Sequence, residues 1–148
     1  MRESNLKTWI RSHYNGWSEA FEPRRGAGVG VADIMLAYNG RLVPVELKVG
    51  NISDGQLFPE EVRPDQIGWH HRLNGEGVFS FFIVGVGRSG AKSPEHLFAL
   101  TPQKIKHWRT GYDLDDLKVL RNKPALFNQD IAAYMKWGMS LEWHKIAV

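Results

Sequence analysis

The chain has 148 residues, of which 43% are hydrophobic and 24% charged. These proportions are ordinary for one globular domain with a buried core. The sequence has no cysteine, which excludes disulfides, zinc–thiolate sites and thiol nucleophiles. No apolar stretch is long enough to span a bilayer and the N-terminal residues lack the apolar core of a signal peptide. We therefore expect a cytoplasmic protein without a membrane partner. The net charge of +3 is mildly basic, as in many proteins that bind nucleic acid.

The first predicted element is an amphipathic helix over residues 4–21. Gly16 weakens its middle and Pro23 ends it. Apolar and aromatic residues recur there at helical spacing, namely Leu6, Trp9, Ile10, His13, Tyr14 and Trp17.

Two strands are predicted next, over 31–38 and 41–49. Asn39-Gly40 between them is the strongest short hairpin signal in the chain. Pro44 lacks an N–H donor, so we expect a bulge or an unpaired side at that point of the second strand.

The later part of the chain predicts alternating helices and strands within the same single domain, residues 1–148. The expected elements are an irregular segment over 50–63, a helix from Pro64 to Gly75 or Gly77, a buried strand over 78–86, a strand over 96–100, a helix from its cap Thr101 to Trp108, and a last helix over 127–137. A hairpin followed by a helical crossover predicts an α/β fold, with a mixed sheet flanked by helices on both faces.

Asp33, Glu46 and Lys48 are the candidate catalytic residues. The hairpin brings the strand that starts at Asp33 beside the strand that carries Glu46 and Lys48, and alternation puts the latter two on one face. Carboxylate oxygens suit Mg²⁺, and the main-chain carbonyl of Leu47 is a further candidate ligand. A lysine beside them suits stabilising charge on a phosphate. The alternative is an edge strand on which Glu46 and Lys48 form a solvated pair.

Val31-Ala32-Asp33 with Glu46-Leu47-Lys48 resembles the PD-(D/E)XK nuclease superfamily, with Ala32 where the family usually has proline. The resemblance covers about residues 19–86. It implies a restriction-endonuclease-like fold with a catalytic core over about 19–100 and a C-terminal helical extension over about 101–148. It also implies a Mg²⁺ cofactor, for which Mn²⁺ can substitute.

The resemblance implies two further site residues. Family members often place another acidic residue on the first helix, where it can complete the metal site. Glu22 is the first choice for this ligand, with Glu19 as the rival one turn earlier. Many members also carry a glutamine on the helix after the lysine strand, which corresponds here to Gln66.

Four basic residues are candidates for contacts with DNA. Arg24 and Arg25 stand in a glycine-rich segment just before Asp33, and Arg63 and Lys104 follow later in the chain. Such contacts to phosphate add affinity without sequence information.

The adjacent His70 and His71 would point about 100° apart on a helix, so we expect a structural or surface role rather than a shared metal ion. Trp9, Trp17 and Trp69 fall on apolar helical stripes and are predicted to lie in the core.

The helix that carries Gln66, with the apolar strand over 78–86 after it, is similar to the same part of Holliday-junction resolvases and of VRR-NUC nucleases, which are often phage-encoded. The expected function is hydrolysis of phosphodiester bonds in branched DNA by a homodimer, in the bacterial cytoplasm if the protein is phage-encoded. The alternatives are a VRR-NUC-like or nicking nuclease on ordinary duplex DNA, and a non-catalytic DNA-binding protein with the same fold.

Overall fold

The computed structural model describes residues 1–21 and 32–146. Within these ranges the chain forms four α-helices and eight strands, with short 3₁₀ turns at 108–110, 114–116 and 143–145. In chain order the elements are α1 (Glu3–His13), β1 (Ser18–Ala20), β2 (Ile34–Tyr38), β3 (Arg41–Ser53), β4 (Gln56–Pro59), α2 (Pro64–Gly75), β5 (Phe81–Val86), β6 (His96–Leu100), α3 (Pro102–Ile105), β7 (Tyr112–Asp113), β8 (Lys118–Leu120) and α4 (Pro124–Met139).

The strands form one mixed sheet in the order β1-β2-β3-β5-β6-β8, with β4 paired to β3 and β7 paired to β4. The only parallel pair in the described part is β3 with β5, which the α2 crossover connects. The α/β class with a mixed sheet flanked by helices is therefore confirmed. β3 is the central element, because its successive parts pair with β2, β5 and β4.

The predicted Asn39-Gly40 hairpin is confirmed. Both turn residues have positive φ, 50° at Asn39 and 76° at Gly40, as the tight turn between right-twisted strands requires. Pro44 lies opposite Met35 in an unbroken register, so there is no bulge there. The pairing of β3 with β5 starts one residue later, at Val45. Of the two expectations for Pro44, the unpaired side is the one observed.

The core divides into two clusters, one on each face of the sheet. On the α1/α4 face, the helices α1 and α4 pack on the sheet, and buried residues include Leu6, Ile10, Val45, Leu47, Phe127 and Ile131. On the α2/α3 face, the buried residues include Leu57, Phe82, Val84, Phe98 and Ile105. Side chains alternate along β3, so Glu46 and Lys48, which pair with Phe82 and Val84 in the ladder, belong to the α2/α3 face.

The helix predicted over 4–21 is too long, because α1 ends at His13. The Asn128 side chain of α4 donates to the His13 carbonyl and accepts from the Asn15 N–H, both at 2.7 Å. A residue distant in sequence therefore caps the helix, and the chain continues as β1 along β2. The prediction that Trp17 lies in the core is wrong, since this residue is 54% exposed.

The irregular segment predicted over 50–63 is also wrong in its first half. β3 continues to Ser53, turns at Asp54-Gly55 and returns as β4. The turn residues have φ of 50° and 74°, so this is a second tight hairpin. Asp-Gly is as direct a hairpin signal as Asn-Gly, so this second turn could have been predicted from the sequence.

Helix α2 and strand β6 match their predicted positions. Strand β5 begins at Phe81 rather than 78, and α3 ends at Ile105 before a 3₁₀ turn. The last helix is longer than predicted, because it begins at Pro124, and proline fits the first turn of a helix. The short strands β7 and β8 were not predicted.

Candidate active site

Asp33 is held at the start of β2 by bonds from both sides. Its main-chain carbonyl accepts the N–H of Phe21 at 2.9 Å. Its carboxylate Oδ2 accepts the N–H of Leu47 at 2.8 Å. The side chain of Asp33 is thus fixed against β3 at the level of Glu46 and Lys48, as the hairpin predicts.

Glu46 and Lys48 are buried in the middle of the sheet, with only 1% and 7% of their surfaces exposed. The solvated edge-strand alternative is therefore wrong, because both side chains are buried and the two residues pair with Phe82 and Val84 of β5. Burying a carboxylate and an ammonium costs several kcal/mol per ion, which their attraction seldom fully offsets. A buried ionisable pair beside a second carboxylate therefore marks a candidate functional site.

The Glu46 carboxyl group is set up to carry a proton in the metal-free protein. Burial, reinforced by the negative charge of Asp33 and opposed by Lys48, raises the pKa of Glu46 to about 9. When both carboxyl groups are ionised, Glu46 Oε2 has no hydrogen-bond donor within the described residues. A protonated Glu46 can donate a hydrogen bond to Asp33. An ionised Glu46 can instead bind a cation through this oxygen.

Glu3, in the first turn of α1, is the acidic residue that the fold adds to this group. Its Oε1 lies 3.8 Å from Lys48 Nζ. Partial burial raises the pKa of Glu3; Lys48 opposes the increase, while Asp33 and Glu60 add to it. We call Glu3, Asp33, Glu46 and Lys48 the carboxylate–lysine cluster.

Glu3 is an acidic residue on the first helix, the position at which the resemblance predicted Glu22 or Glu19. Glu19 is not on a helix: it is an exposed residue of β1 opposite Met35. Glu22 lies outside the described residues. Sequence reasoning missed Glu3 because the predicted helix began at residue 4 and extended to 21, so the acidic residue was sought near its C-terminal end. Once α1 ends at His13, Glu3 is the only acidic residue left on it.

The cluster fits a small hard cation. Asp33 and Glu46 offer carboxylate oxygens, and Glu46 Oε2 is a buried acceptor without a protein donor in the described part of the chain. The N–H and C=O of one strand residue project to the same side, so the Leu47 carbonyl faces the side on which its N–H meets Asp33. Residues 1–21 and 32–146 hold no ready-made group of three acidic or histidine ligands. Mg²⁺ suits such a site because it binds few carboxylates and retains several waters.

Gln66 and Arg63 lie at the start of α2. Gln66 is buried, and its Oε1 accepts the main-chain N–H of Arg63 at 3.0 Å. This bond satisfies one end of the helix, and no described hydrogen bond joins Gln66 to the carboxylate–lysine cluster. The Arg63 side chain is 58% exposed and lies 3.3 Å from Asp65.

Lys104 is placed away from the cluster, on α3. Its ammonium donates to the main-chain carbonyl of Asp116, in a turn that also carries Asp115. Acidic neighbours weaken its case as a phosphate contact. The predicted contacts Arg24 and Arg25 lie outside the described residues.

His70 and His71 both form hydrogen-bond contacts within the fold. His70 is fully buried with Nδ1 2.8 Å from Ser80 Oγ, and Ser80 donates its N–H to Asn74. Burial, with a smaller contribution from His71, lowers the pKa of His70 to about 3, so it is neutral at physiological pH. His71 Nε2 lies 3.2 Å from the Pro102 carbonyl.

Neither a family model nor a curated protein matches the sequence. In the described ranges, every helix is too short or too polar to cross a membrane.

Proposed function

We propose that the protein is a Mg²⁺-dependent DNA endonuclease that hydrolyses phosphodiester bonds. The observation that carries this proposal is the carboxylate–lysine cluster, above all the buried Glu46 beside Asp33 and Lys48. Structural ion pairs are seldom buried with one carboxylate oxygen left without a donor. A site that accepts a cation and then a phosphate explains why these groups are kept in the core.

The residues divide the work as follows. Asp33, Glu46 and the Leu47 carbonyl would hold Mg²⁺, which on binding supplies a Lewis acid for the phosphate and for the attacking water. Lys48 presents a fixed positive charge where negative charge develops on the phosphate oxygens. Glu3 positions the Lys48 ammonium through their ion pair. Mn²⁺, which accepts similar ligands, is expected to substitute.

Branched DNA is the substrate that we propose, with a homodimer as the active form. The resemblance to junction-resolving nucleases favours it, and paired cuts at a four-way junction need two sites related by symmetry. The mildly basic charge of +3 is compatible with a DNA partner. We place the enzyme in the cytoplasm, where such DNA is found in bacteria.

Cleavage assays with Mg²⁺ on linear duplex, flap and four-way junction DNA test this proposal. We expect junction DNA to be cut fastest, chelation to stop the reaction, and Asp33→Asn to abolish it. Asp115→Asn, which alters an exposed carboxylate on a remote turn, is the matched control and should leave the rate unchanged. Preferred cutting of linear duplex would favour the VRR-NUC-like alternative. DNA binding without any cutting would favour the non-catalytic one.

Calorimetry with Mn²⁺ or Mg²⁺ gives a second measurement that does not depend on cleavage. Since the pKa of Glu46 is raised to about 9, Glu46 is protonated near neutral pH, and a cation that binds there must displace the proton. Titrations in buffers of different ionisation enthalpy should therefore show proton release, and Glu46→Gln should remove it. Metal binding by the wild type without proton release would contradict the assignment of Glu46 as a ligand.

A further inference from the structure

A polar cavity of about 420 Å³ lies between the start of α1, which also carries Glu3 of the cluster, and the loop that joins β5 to β6. This size falls within the range of ligand sites, about 300–1,000 Å³. Arg2, Ser4 and Asn5 line it from one side, and Ser89 and Lys92 from the other.

Two cations on its rim lack acidic partners. Within residues 1–21 and 32–146 no carboxylate forms an ion pair with Arg2 or Lys92. The nearby Arg88, in contrast, is paired with Glu95 at 3.6 Å. Arg2 and Lys92 approach the cavity from two different elements, so their positive charges add over the same space.

The loop is tied to the helix, so the cavity has defined walls. Asn5 Nδ2 donates to the Ala91 carbonyl at 3.3 Å. The turn itself is closed by the Ala91 N–H donating to the Arg88 carbonyl at 3.0 Å, with Gly90 at φ of 78°. A positive φ at the third position is what a type II turn requires, and glycine adopts it without strain.

We propose that this cavity holds a backbone phosphate of the DNA, next to the phosphate that is cut. The inference rests on the proposed nuclease function and names a substrate contact for it. Two cations supply the charge, and the side chains of Ser4, Asn5 and Ser89 supply neutral donors for phosphate oxygens.

The cavity and the cluster share the start of α1. The side chain of Glu3 reaches Lys48 in the cluster, while its neighbours Arg2 and Ser4 line the cavity. A DNA strand with one phosphate at the cluster can therefore place another phosphate of the same strand in the cavity.

The salt dependence of DNA binding tests the proposal. Asp33→Asn protein, in which cutting is expected to stop, is titrated into labelled DNA between about 50 and 200 mM salt, and the slope of log K against log salt is measured. Adding Arg2→Ala and Lys92→Ala should weaken binding and reduce the magnitude of the slope by about 0.9, the value for one phosphate contact. Both residues are exposed, so melting temperatures should not change.

The matched control adds Arg109→Ala and Lys118→Ala instead, which removes the same two kinds of charge from residues that do not line the cavity. Its slope should stay close to that of the Asp33→Asn parent. An unchanged slope in the Arg2/Lys92 variant, or an equal loss in the control, would overturn the phosphate site while leaving the nuclease proposal standing. A parent that binds no DNA would overturn both.

Discussion

The two faces of the sheet differ in what they bury. The α1/α4 face is a continuous apolar core from Leu6 to Ile131. The α2/α3 face is smaller and holds polar groups as well as apolar ones. The polar residues buried there are Glu46, Lys48, Gln66, His70, Asn74 and Ser80.

The sheet therefore separates the face with most of the apolar core from the face that carries the candidate site. Apolar burial contributes about 1.5–3 kcal/mol for each large side chain, whereas a buried charge costs free energy unless it is paired and hydrogen-bonded. Because side chains alternate along a strand, β3 supplies Val45, Leu47 and Val49 to the first face and Glu46 and Lys48 to the second. Substitutions on the α2/α3 face should therefore mainly change activity, and substitutions on the α1/α4 face should mainly change the free energy of unfolding.

Glu46→Gln should have the largest effect, and it should lower activity without lowering stability. It replaces a carboxyl group that is protonated at neutral pH, since its pKa is raised to about 9, by an amide of the same shape. We expect cleavage to fall by about 10³-fold, the scale on which a lost electrostatic group acts. The free energy of unfolding should not fall, because at neutral pH the wild type must take up a proton at Glu46 on folding and the amide need not. Single-turnover cleavage and urea unfolding in chelator measure the two quantities.

Glu76→Gln is the control for this change, because Glu76 is exposed at the end of α2. It should alter neither quantity. A Glu46→Gln protein that unfolds much more easily, yet still cuts DNA, would reverse the roles that we assign to the two faces.

Gly85→Ala should act on the opposite face and mainly on stability. Gly85 has no side chain where Leu6 of α1 packs, and an added Cβ would come 2.7 Å from Leu6 Cδ1. Overpacking of this kind costs about 1–3 kcal/mol, measured as a lower urea midpoint. The matched control is Gly75→Ala in α2, where an added Cβ meets nothing within 4 Å. It should stabilise the protein slightly, by up to about 1 kcal/mol, and equal effects of the two changes would contradict the packing explanation.

His70 should give the smallest effect, a pH dependence of stability that originates on the α2/α3 face. Its pKa is lowered from 6.5 to about 3 by burial, so below pH 6.5 the unfolded chain binds a proton that the folded protein does not. Stability is fully present above pH 6.5 and is lost as the pH falls towards 3, by about 1.4 kcal/mol per pH unit at most. Urea unfolding from pH 7.5 to about 5 should show a flatter profile in His70→Gln than in the wild type. Parallel profiles would contradict a neutral, buried His70.

Sequence patterns identified the elements whose signals are local. The Asn39-Gly40 turn, the start of α2 at Pro64 and the cap of α3 at Thr101 are each fixed by a few neighbouring residues. The errors arose where distant residues decide. Asn128 of α4 ends α1 at His13, and helical periodicity within one segment carries no information about such a contact.

For this protein, the sequence by itself determined that Asp33, Glu46 and Lys48 converge, because a two-residue turn and the alternation of side chains are properties of the local chain. Only the tertiary structure decided that Glu46 and Lys48 are buried and that Glu3 joins them. Burial depends on which strands flank β3, and Glu3 reaches Lys48 only because α1 packs across that strand. Both depend on contacts between residues far apart in the chain, which spacing along the sequence does not encode.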